Sequence, residues 1–133
     1  MPEMYQLELV TARVAPAEEP LEDGIRLKNG KTLPFLVERT WSGPAGSYNE
    51  QWSIRRGGKE IVYGSESKPI WVKGLQSIRT YTDRVDEPIS LEAGTYNLVF
   101  VAEGYFMGSR EITAAEAGGP ENSADRPKEE VPG

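Results

Sequence analysis

The sequence consists of short runs in which apolar and polar residues alternate, separated by turn residues. The runs Tyr5–Leu9 and Tyr96–Phe100 both carry an apolar residue at every second position. This period of two places one set of side chains on one face of a β-strand, whereas a helix has a period near 3.6. No window has a helical stripe with capping residues. The sequence therefore predicts an all-β domain of about seven to nine short strands.

Glycine-containing turns connect several of these runs. Asn29-Gly30 is typical of a type I′ hairpin, whose two central residues both need a positive φ angle. Gly57-Gly58 predicts a second hairpin, and Glu103-Gly104 turns the chain into its last strand. Between Leu9 and Val10 the apolar positions change phase, which predicts a bulge or a change of face.

The 133 residues include no His and no Cys. Without Cys there is no disulfide, no thiolate nucleophile and no iron–sulfur cluster. Without His there is no imidazole base, no Ser-His-Asp triad and no histidine metal ligand. We therefore predict no catalytic residues and no cofactor.

Ser65 and Lys68 match the S-x-x-K pattern of penicillin-recognising enzymes. That chemistry requires the serine at the start of a helix, so that the lysine lies one turn later on the same side. Here the motif lies between two predicted strands. We interpret it as a coincidence of sequence.

Asp83, Asp86 and Glu87 place three carboxylates before a proline. Carboxylate oxygens on a loop are ligands that Ca²⁺ prefers. The spacing is not that of an EF-hand loop, and Arg84 lies between the acids. A solvated turn is the better interpretation, and no metal site is predicted.

The negative charge lies mainly in two segments. The chain has 15 basic and 21 acidic residues, a net charge of −6 at pH 7 and an isoelectric point of about 4.8. Segments 15–23 and 114–133 carry this excess, and the rest is nearly neutral. Because 114–133 has one Val as its only large apolar residue, we predict a β domain over 1–113 and a flexible acidic tail over 114–133. The acidity also argues against a nucleic-acid partner.

The sequence predicts no contact with a membrane. No stretch approaches the roughly 20 apolar residues of a spanning helix, and the N-terminus lacks the pattern of a signal peptide. The expected location is the cytoplasm, or an assembly formed there such as a virion.

Leu91, Gly94 and Tyr96 form an L-x-x-G-x-Y pattern at the start of a strand. This resembles the tyrosine corner of Ig-like sandwiches, in which the tyrosine hydroxyl bonds to backbone a few residues upstream. The stretch from Leu91 to about Thr113 is similar to the end of bacterial Ig-like and prealbumin-like modules, except that Ala93 stands where proline is usual. The resemblance implies an antiparallel Ig-like β-sandwich. Modules of this kind serve in adhesion, as accessory units of multi-domain enzymes and as components of phage particles.

Aromatic residues and outward-facing valines are the candidate binding residues. Trp and Tyr offer large rigid surfaces with a polar tip, which suits both interfaces and sugar stacking. Trp41 and Trp52 also fit a core, whereas Trp71 is out of phase with its apolar neighbours. The candidate surface consists of Trp41, Tyr48, Trp71, Tyr81, Val99 and Val101.

These observations predict a non-enzymatic module for protein binding or assembly, for instance an accessory or decoration component of a larger particle. A protein partner or self-association is expected. One alternative is a carbohydrate-binding module with Trp41, Tyr48 or Trp71 as its platform. Another is an inhibitor that presents the loop 42–49 to a protease.

Overall fold

The computed structural model describes residues 7–57, 59–74 and 77–117. Within these ranges all regular elements are strands, which confirms the all-β prediction, and no helix there is long and apolar enough to cross a bilayer. The strands are β1 (Glu8–Pro16), β2 (Ile25–Lys28), β3 (Lys31–Thr32), β4 (Phe35–Ser42), β5 (Gly46–Arg56), β6 (Glu60–Gly64), β7 (Lys68–Val72), β8 (Arg79–Val85), β9 (Gly94–Ala102) and β10 (Tyr105–Glu116).

The predicted turns at Asn29-Gly30 and Glu103-Gly104 and the predicted bulge are confirmed, whereas Gly58 of the second predicted hairpin lies outside the described residues. Asn29 and Gly30 have φ angles of 55° and 77° and connect β2 to β3, with Lys28 paired to Lys31. Both angles are positive, as a type I′ turn requires. The register of β1 against β4 shifts between Leu9 and Thr11, where the sequence changes phase.

The strands form two sheets. A three-stranded sheet has the order β1-β4-β8, and a larger sheet has the order β3-β2-β10-β9-β5-β6, with β7 also paired to β5. All pairs are antiparallel except β2 with β10, so the wholly antiparallel arrangement predicted from sequence is wrong there. Segment 17–24 connects β1 in the small sheet to β2 in the large sheet, and the chain keeps the same direction. Alternation of side chains carries no information about strand direction, so the sequence pattern did not reveal this pair.

The last strand continues past the predicted domain boundary at residue 113. Ala114, Ala115 and Glu116 pair with β2, and the Ala114 side chain is only 1% exposed. Residues 114–116 therefore belong to the sheet rather than to the tail. The small side chain of alanine gave no apolar signal at this position. The remainder of the predicted tail, from residue 118, lies outside the described residues.

One apolar core lies between the two sheets. The Trp41 ring on β4 meets the Phe100 ring on β9 edge to face, with centroids 6.4 Å apart and planes at 82°. Such an aromatic pair contributes about 0.5–1.5 kcal/mol beyond the area that it buries. The core contains side chains from both sheets, among them Val14, Phe35, Trp52, Ile54, Ile70, Leu98 and Ile112.

Candidate functional site

Two charged residues lie inside the core, opposite each other on β4 and β5. Arg39 is 0% exposed and Glu50 is 1% exposed. The Arg39 Nε donates to Glu50 Oε2 at 2.7 Å, and Arg39 Nη2 donates to the second carboxylate oxygen. This two-bond geometry is the strongest that an arginine and a carboxylate form.

Asp83 on β8 and the exposed Lys68 on β7 extend this pair to the surface. We call the four residues the buried ion network, after the buried Arg39–Glu50 pair at its centre. Arg39 Nη1 lies 3.3 Å from Asp83 Oδ1, and Lys68 Nζ lies 2.6 Å from the same oxygen. The indole N–H of Trp52 donates to Asp83 at 2.8 Å. A second indole N–H, that of Trp41, donates to Glu50 at 3.0 Å. The network therefore joins strands of both sheets through two cations, two anions and two indoles.

The network keeps Asp83 ionised. Burial by itself raises the pKa of Asp83, but hydrogen bonds from Lys68 and Trp52 and the positive charge of Arg39 outweigh it, so the pKa lies below the ordinary value of 3.8. Burial likewise lowers the pKa of Arg39, and the hydrogen bonds and charges of Glu50 and Asp83 raise it above its ordinary value. These groups stabilise one another's charged forms, which is the opposite of what a general acid or base near neutral pH needs.

The sequence contained a signal for this network that our interpretation missed. Arg39 is in phase with Val37 and Trp41, and Glu50 is in phase with Tyr48 and Trp52. A single charged residue in phase with core residues on each of two successive strands indicates a buried pair.

Ser65 and Lys68 are bound to other partners. The Ser65 hydroxyl accepts the Trp52 backbone N–H at 3.0 Å and donates to the Glu66 carbonyl at 3.2 Å, while Lys68 holds Asp83. Ser65 lies between β6 and β7, where the chain is not helical. This is not the geometry that S-x-x-K catalysis requires.

The three carboxylates before Pro88 point to different partners. Asp83 belongs to the buried ion network, Asp86 pairs with Arg84 at 2.6 Å, and Glu87 accepts a hydrogen bond from Tyr63 at 3.1 Å. In the described part of the chain, no group of three or more acidic residues is arranged to hold a metal ion.

Tyr81 closes the free edge of β7. The Trp71 backbone N–H donates to the Tyr81 hydroxyl at 2.6 Å, and that hydroxyl donates to the Trp71 carbonyl at 2.9 Å. Pro69, the other residue of β7 that turns its backbone away from β5, has no N–H. We call this junction of β7 and β8 the closed seam, because its outward backbone groups at Trp71 are already paired.

Three of the six predicted binding residues are buried rather than exposed. Trp41 and Tyr48 are 0% and 1% exposed, so the prediction that they form a binding surface is wrong. Both face inward from strands covered by the opposite sheet. Tyr48 also donates from its hydroxyl to the Pro44 carbonyl at 2.7 Å, which ties down the β4–β5 connection. That connection is only three residues long, 43–45, which is short for the presented inhibitor loop predicted over 42–49.

The other candidates differ among themselves. Val99 is buried, Val101 is half-buried, and the half-buried Tyr81 has its hydroxyl engaged with Trp71. The Val99 prediction is therefore wrong as well. Of the six predicted residues, only Trp71, which is 57% exposed, presents a large ring to solvent.

Other exposed apolar side chains lie at the same end of the molecule as Trp71, and none of them was predicted from sequence. In the described residues, five of the seven exposed large apolar side chains lie at the end where β4 leads into β5 and β9 leads into β10. The two others, Leu21 and Ile61, lie toward the opposite end. We call this group the apolar end: Val10, Trp71, Ile78, Tyr105 and Phe106.

The residues of the tyrosine-corner pattern lie at the start of β9. The Tyr96 hydroxyl donates to the Glu92 carbonyl four residues upstream at 2.7 Å. Leu91 is 3% exposed and packs in the core, and Gly94 begins the strand.

Solved structures with a similar fold are parts of larger proteins. The Pseudomonas fluorescens alkylpurine DNA glycosylase AlkC bound to DNA containing an abasic site analogue matches 83% of this chain, with a TM-score of 0.50 and 10% identity. The β-glucosidase from Listeria innocua in complex with isofagomine matches 86% of it, with a TM-score of 0.52 and 14% identity. The chain spans only 30% and 16% of these proteins. No protein-family model and no curated protein sequence matches it.

Proposed function

We propose that the chain is a non-enzymatic, Ig-like β-sandwich module that binds another protein through its apolar end. The concentration of exposed rings and aliphatic side chains at that end carries the proposal. Trp71, Ile78, Tyr105 and Phe106 are each between 57% and 66% exposed. Clusters of exposed apolar side chains mark contact surfaces, whereas isolated ones are ordinary.

The rings at this end have the properties of interface anchors. Fully burying a large apolar side chain contributes about 1.5–3 kcal/mol, and Trp and Tyr are enriched among the residues that dominate binding energy. Tyr81 already holds both backbone polar groups of Trp71. The backbone at Trp71 is therefore held in place before a partner binds.

Three observations support the non-enzymatic, Ig-like character of the module. The acidic and basic groups of the buried ion network are paired with one another. Two sheets share one core, and Tyr96 makes the hydrogen bond expected of a tyrosine corner. Similar folds form minor parts of larger proteins, which favours an accessory role. The cytoplasm, or a virion assembled there, stays the predicted location.

The proposal is tested with Trp71→Ser and Phe106→Ser, with Ile61→Ser as the matched control. Ile61 and Trp71 are both 57% exposed but lie toward opposite ends of the molecule. Sedimentation measures self-association. Affinity capture from a lysate of the source organism detects binding to a different protein. We expect an association that wild type and Ile61→Ser share and that both other variants lose. A wild-type chain that stays monomeric and retains no protein sensitive to these substitutions would contradict the proposal.

Trp71 also supports the alternative of carbohydrate binding, because an exposed indole is a stacking platform for a sugar ring. Trp41 and Tyr48 no longer contribute to such a platform, since both are buried. Affinity electrophoresis in gels containing soluble polysaccharides separates the two functions. Retardation of wild type and Ile61→Ser, but not of Trp71→Ser, would favour the carbohydrate. Equal mobility of all three would leave protein binding as the function of the apolar end.

A further inference from the structure

The Asn29-Gly30 turn is tied to the last strand by a single carboxylate. Glu116, at the end of β10, accepts the Asn29 N–H at 3.1 Å with one oxygen and the Gly30 N–H at 3.0 Å with the other. Successive backbone N–H groups in a turn form a concave site for an anion. On the other side of the turn, the Gly30 carbonyl accepts the Leu91 N–H at 3.0 Å. The turn is therefore held from both sides, and Glu116 pairs with both of its N–H groups.

Asparagine followed by glycine is also a chemically reactive sequence. The backbone nitrogen of the glycine attacks Cγ of the asparagine side chain, so that a C–N bond forms and the side-chain nitrogen leaves. It departs as ammonia, with the proton that the backbone nitrogen gives up. Water then opens the resulting succinimide ring at either carbonyl, which yields aspartate or isoaspartate. Any other residue in place of glycine would hinder the attack with its side chain, and glycine has none.

Neither burial nor crowding prevents this reaction at Asn29. The residue is exposed. Apart from the chain neighbours of Gly30, no atom of the described residues lies within 4 Å of the position that a Cβ on Gly30 would take. Gly30 and Glu116 also line an open groove of about 460 Å³, which is roomy enough for water. Both the attacking nitrogen and the water that opens the ring therefore have access.

The hydrogen bond from Gly30 to Glu116 opposes the reaction in two ways. Loss of the proton from the Gly30 nitrogen would place a negative charge 3.0 Å from a carboxylate oxygen, and a like charge at this distance disfavours the ionised form. Ring closure also requires rotation about the bond between Cα and the carbonyl carbon of Asn29, which turns the N–H away from Glu116. A carboxylate is a far weaker base than an amide anion, so Glu116 holds this proton rather than removing it.

We propose that Asn29 is a deamidation site and that Glu116 protects it. The site becomes reactive when the end of β10 opens locally and releases the turn. Either product then weakens this end of the sheet. Aspartate adds a negative charge to the residue whose N–H Glu116 binds, and isoaspartate adds a methylene to the backbone between the paired Lys28 and Lys31. Because β10 begins at the apolar end and ends at Glu116, the site does not depend on the function proposed for the apolar end.

The test follows deamidation of the whole chain by mass spectrometry during incubation at neutral pH. An endoproteinase that cleaves after glutamate releases residues 23–38, in which Asn29 is the only asparagine. The reference is the synthetic peptide acetyl-Arg-Leu-Lys-Asn-Gly-Lys-Thr-Leu-amide, which has the sequence of residues 26–33 without the fold. We expect wild type to react more slowly than this peptide. Glu116→Ala should react about two- to tenfold faster than wild type, the range that loss of exposed hydrogen bonds gives.

Two further variants separate the protection from a general change in the fold. Glu111→Ala is the matched control, because Glu111 is an exposed glutamate earlier on β10, and it should react at the wild-type rate. Glu116→Gln keeps one acceptor oxygen but loses the charge, so its rate should lie between those of wild type and Glu116→Ala. The amide NMR spectrum shows whether each variant is folded. If Glu116→Ala does not fold, the comparison of Glu116→Gln with wild type decides in the same way.

Three outcomes would overturn the proposal. A wild-type rate equal to that of the peptide would show that the fold does not protect Asn29. Equal rates in wild type and Glu116→Ala would show that the protection does not come from Glu116. A slower reaction in Glu116→Ala would show that the carboxylate promotes the attack as a base.

Discussion

Two junctions between the small sheet and the large sheet differ in how they are closed: the closed seam of β7 and β8, and the junction of β1 with β10, which we call the open seam. At the closed seam, side chains join the edges: Lys68 and Arg39 hold Asp83, and the Tyr81 hydroxyl pairs with the backbone of Trp71. At the open seam, a groove separates β1 from β10, and Arg110 has no carboxylate partner among the described residues. Free sheet edges normally have to be protected. One seam is closed by side chains, whereas at the other the backbone N–H of Gly24 donates to the Val14 carbonyl and Gly24 lies against the Thr113 carbonyl.

This difference indicates how stability is distributed between the two seams. Substitutions at the closed seam remove interactions that the folded chain already makes, so they should lower the free energy of unfolding. Substitutions of exposed residues at the open seam remove few such interactions, so they should change the free energy of unfolding little.

The largest effect is expected for Arg39→Met. The substitution leaves the buried Glu50 side chain without its cation, and removing one partner of a buried ion pair costs about 3–5 kcal/mol. Urea unfolding at pH 7 measures the loss. The control is Arg84→Met, because Arg84 pairs with Asp86 at an exposed site, where an ion pair contributes about 0–1 kcal/mol. Equal losses in the two variants would show that the buried ion network does not stabilise the fold.

The buried ion network also predicts a pH dependence. Because the pKa of Asp83 in the folded state lies below its ordinary value of 3.8, the unfolded chain binds more protons in that pH range. The contribution of Asp83 is thus complete above about pH 5 and is lost as the pH falls through the folded-state pKa. Asp83→Asn should therefore be less stable than wild type by about 2 kcal/mol at neutral pH. Urea unfolding from pH 7 down to pH 2.5 should show this difference shrinking with acidity, whereas a constant difference would contradict the assigned pKa shift. Asp86→Asn, an exposed carboxylate, is the control.

Sequence patterns predicted local turns and bulges better than the pairing of distant strands. The Asn29-Gly30 turn and the bulge after Leu9 follow from residue types that few other conformations accommodate. The parallel pairing of β2 with β10 was not predictable in this way, because it depends on where segment 17–24 crosses between sheets.

The burial of Trp41 and the exposure of Phe106 show a second limit. Alternation assigns a residue to one face of a strand, but it does not show how far the opposite sheet extends over that face. Trp41 lies where the sheets overlap, in contact with Phe100. Phe106 lies at the start of β10, and its ring is 66% exposed. The burial of Arg39 and Glu50 could have been predicted, since each is in phase with core residues. Their charge, however, indicated an exposed position.

A smaller effect is expected for Tyr81→Phe, which removes the hydroxyl that closes the edge of β7. Water can replace it at the exposed Trp71 backbone, so the free energy of unfolding should fall by only about 0.5–1.5 kcal/mol. Hydrogen exchange of the Trp71 amide should become faster, while exchange of the Ile70 amide, which faces β5, should not change. Unchanged exchange at Trp71 would mean that this hydroxyl does not close the seam.

The smallest effect on stability is expected at the open seam itself, for Glu111→Pro. Proline is tolerated at a strand edge where the missing N–H faces outward, so the change in unfolding free energy should stay within about 1 kcal/mol. Ile112→Pro is the control one residue away. Ile112 pairs with Tyr96 and directs its backbone toward β9. Loss of the Ile112 N–H therefore leaves a buried backbone acceptor on β9 unpaired, at a cost of about 1–3 kcal/mol. Thermal unfolding of the two variants compares them directly. If Glu111→Pro were as destabilising as Ile112→Pro, the edge of β10 would already be paired in the folded chain, and the two seams would not differ.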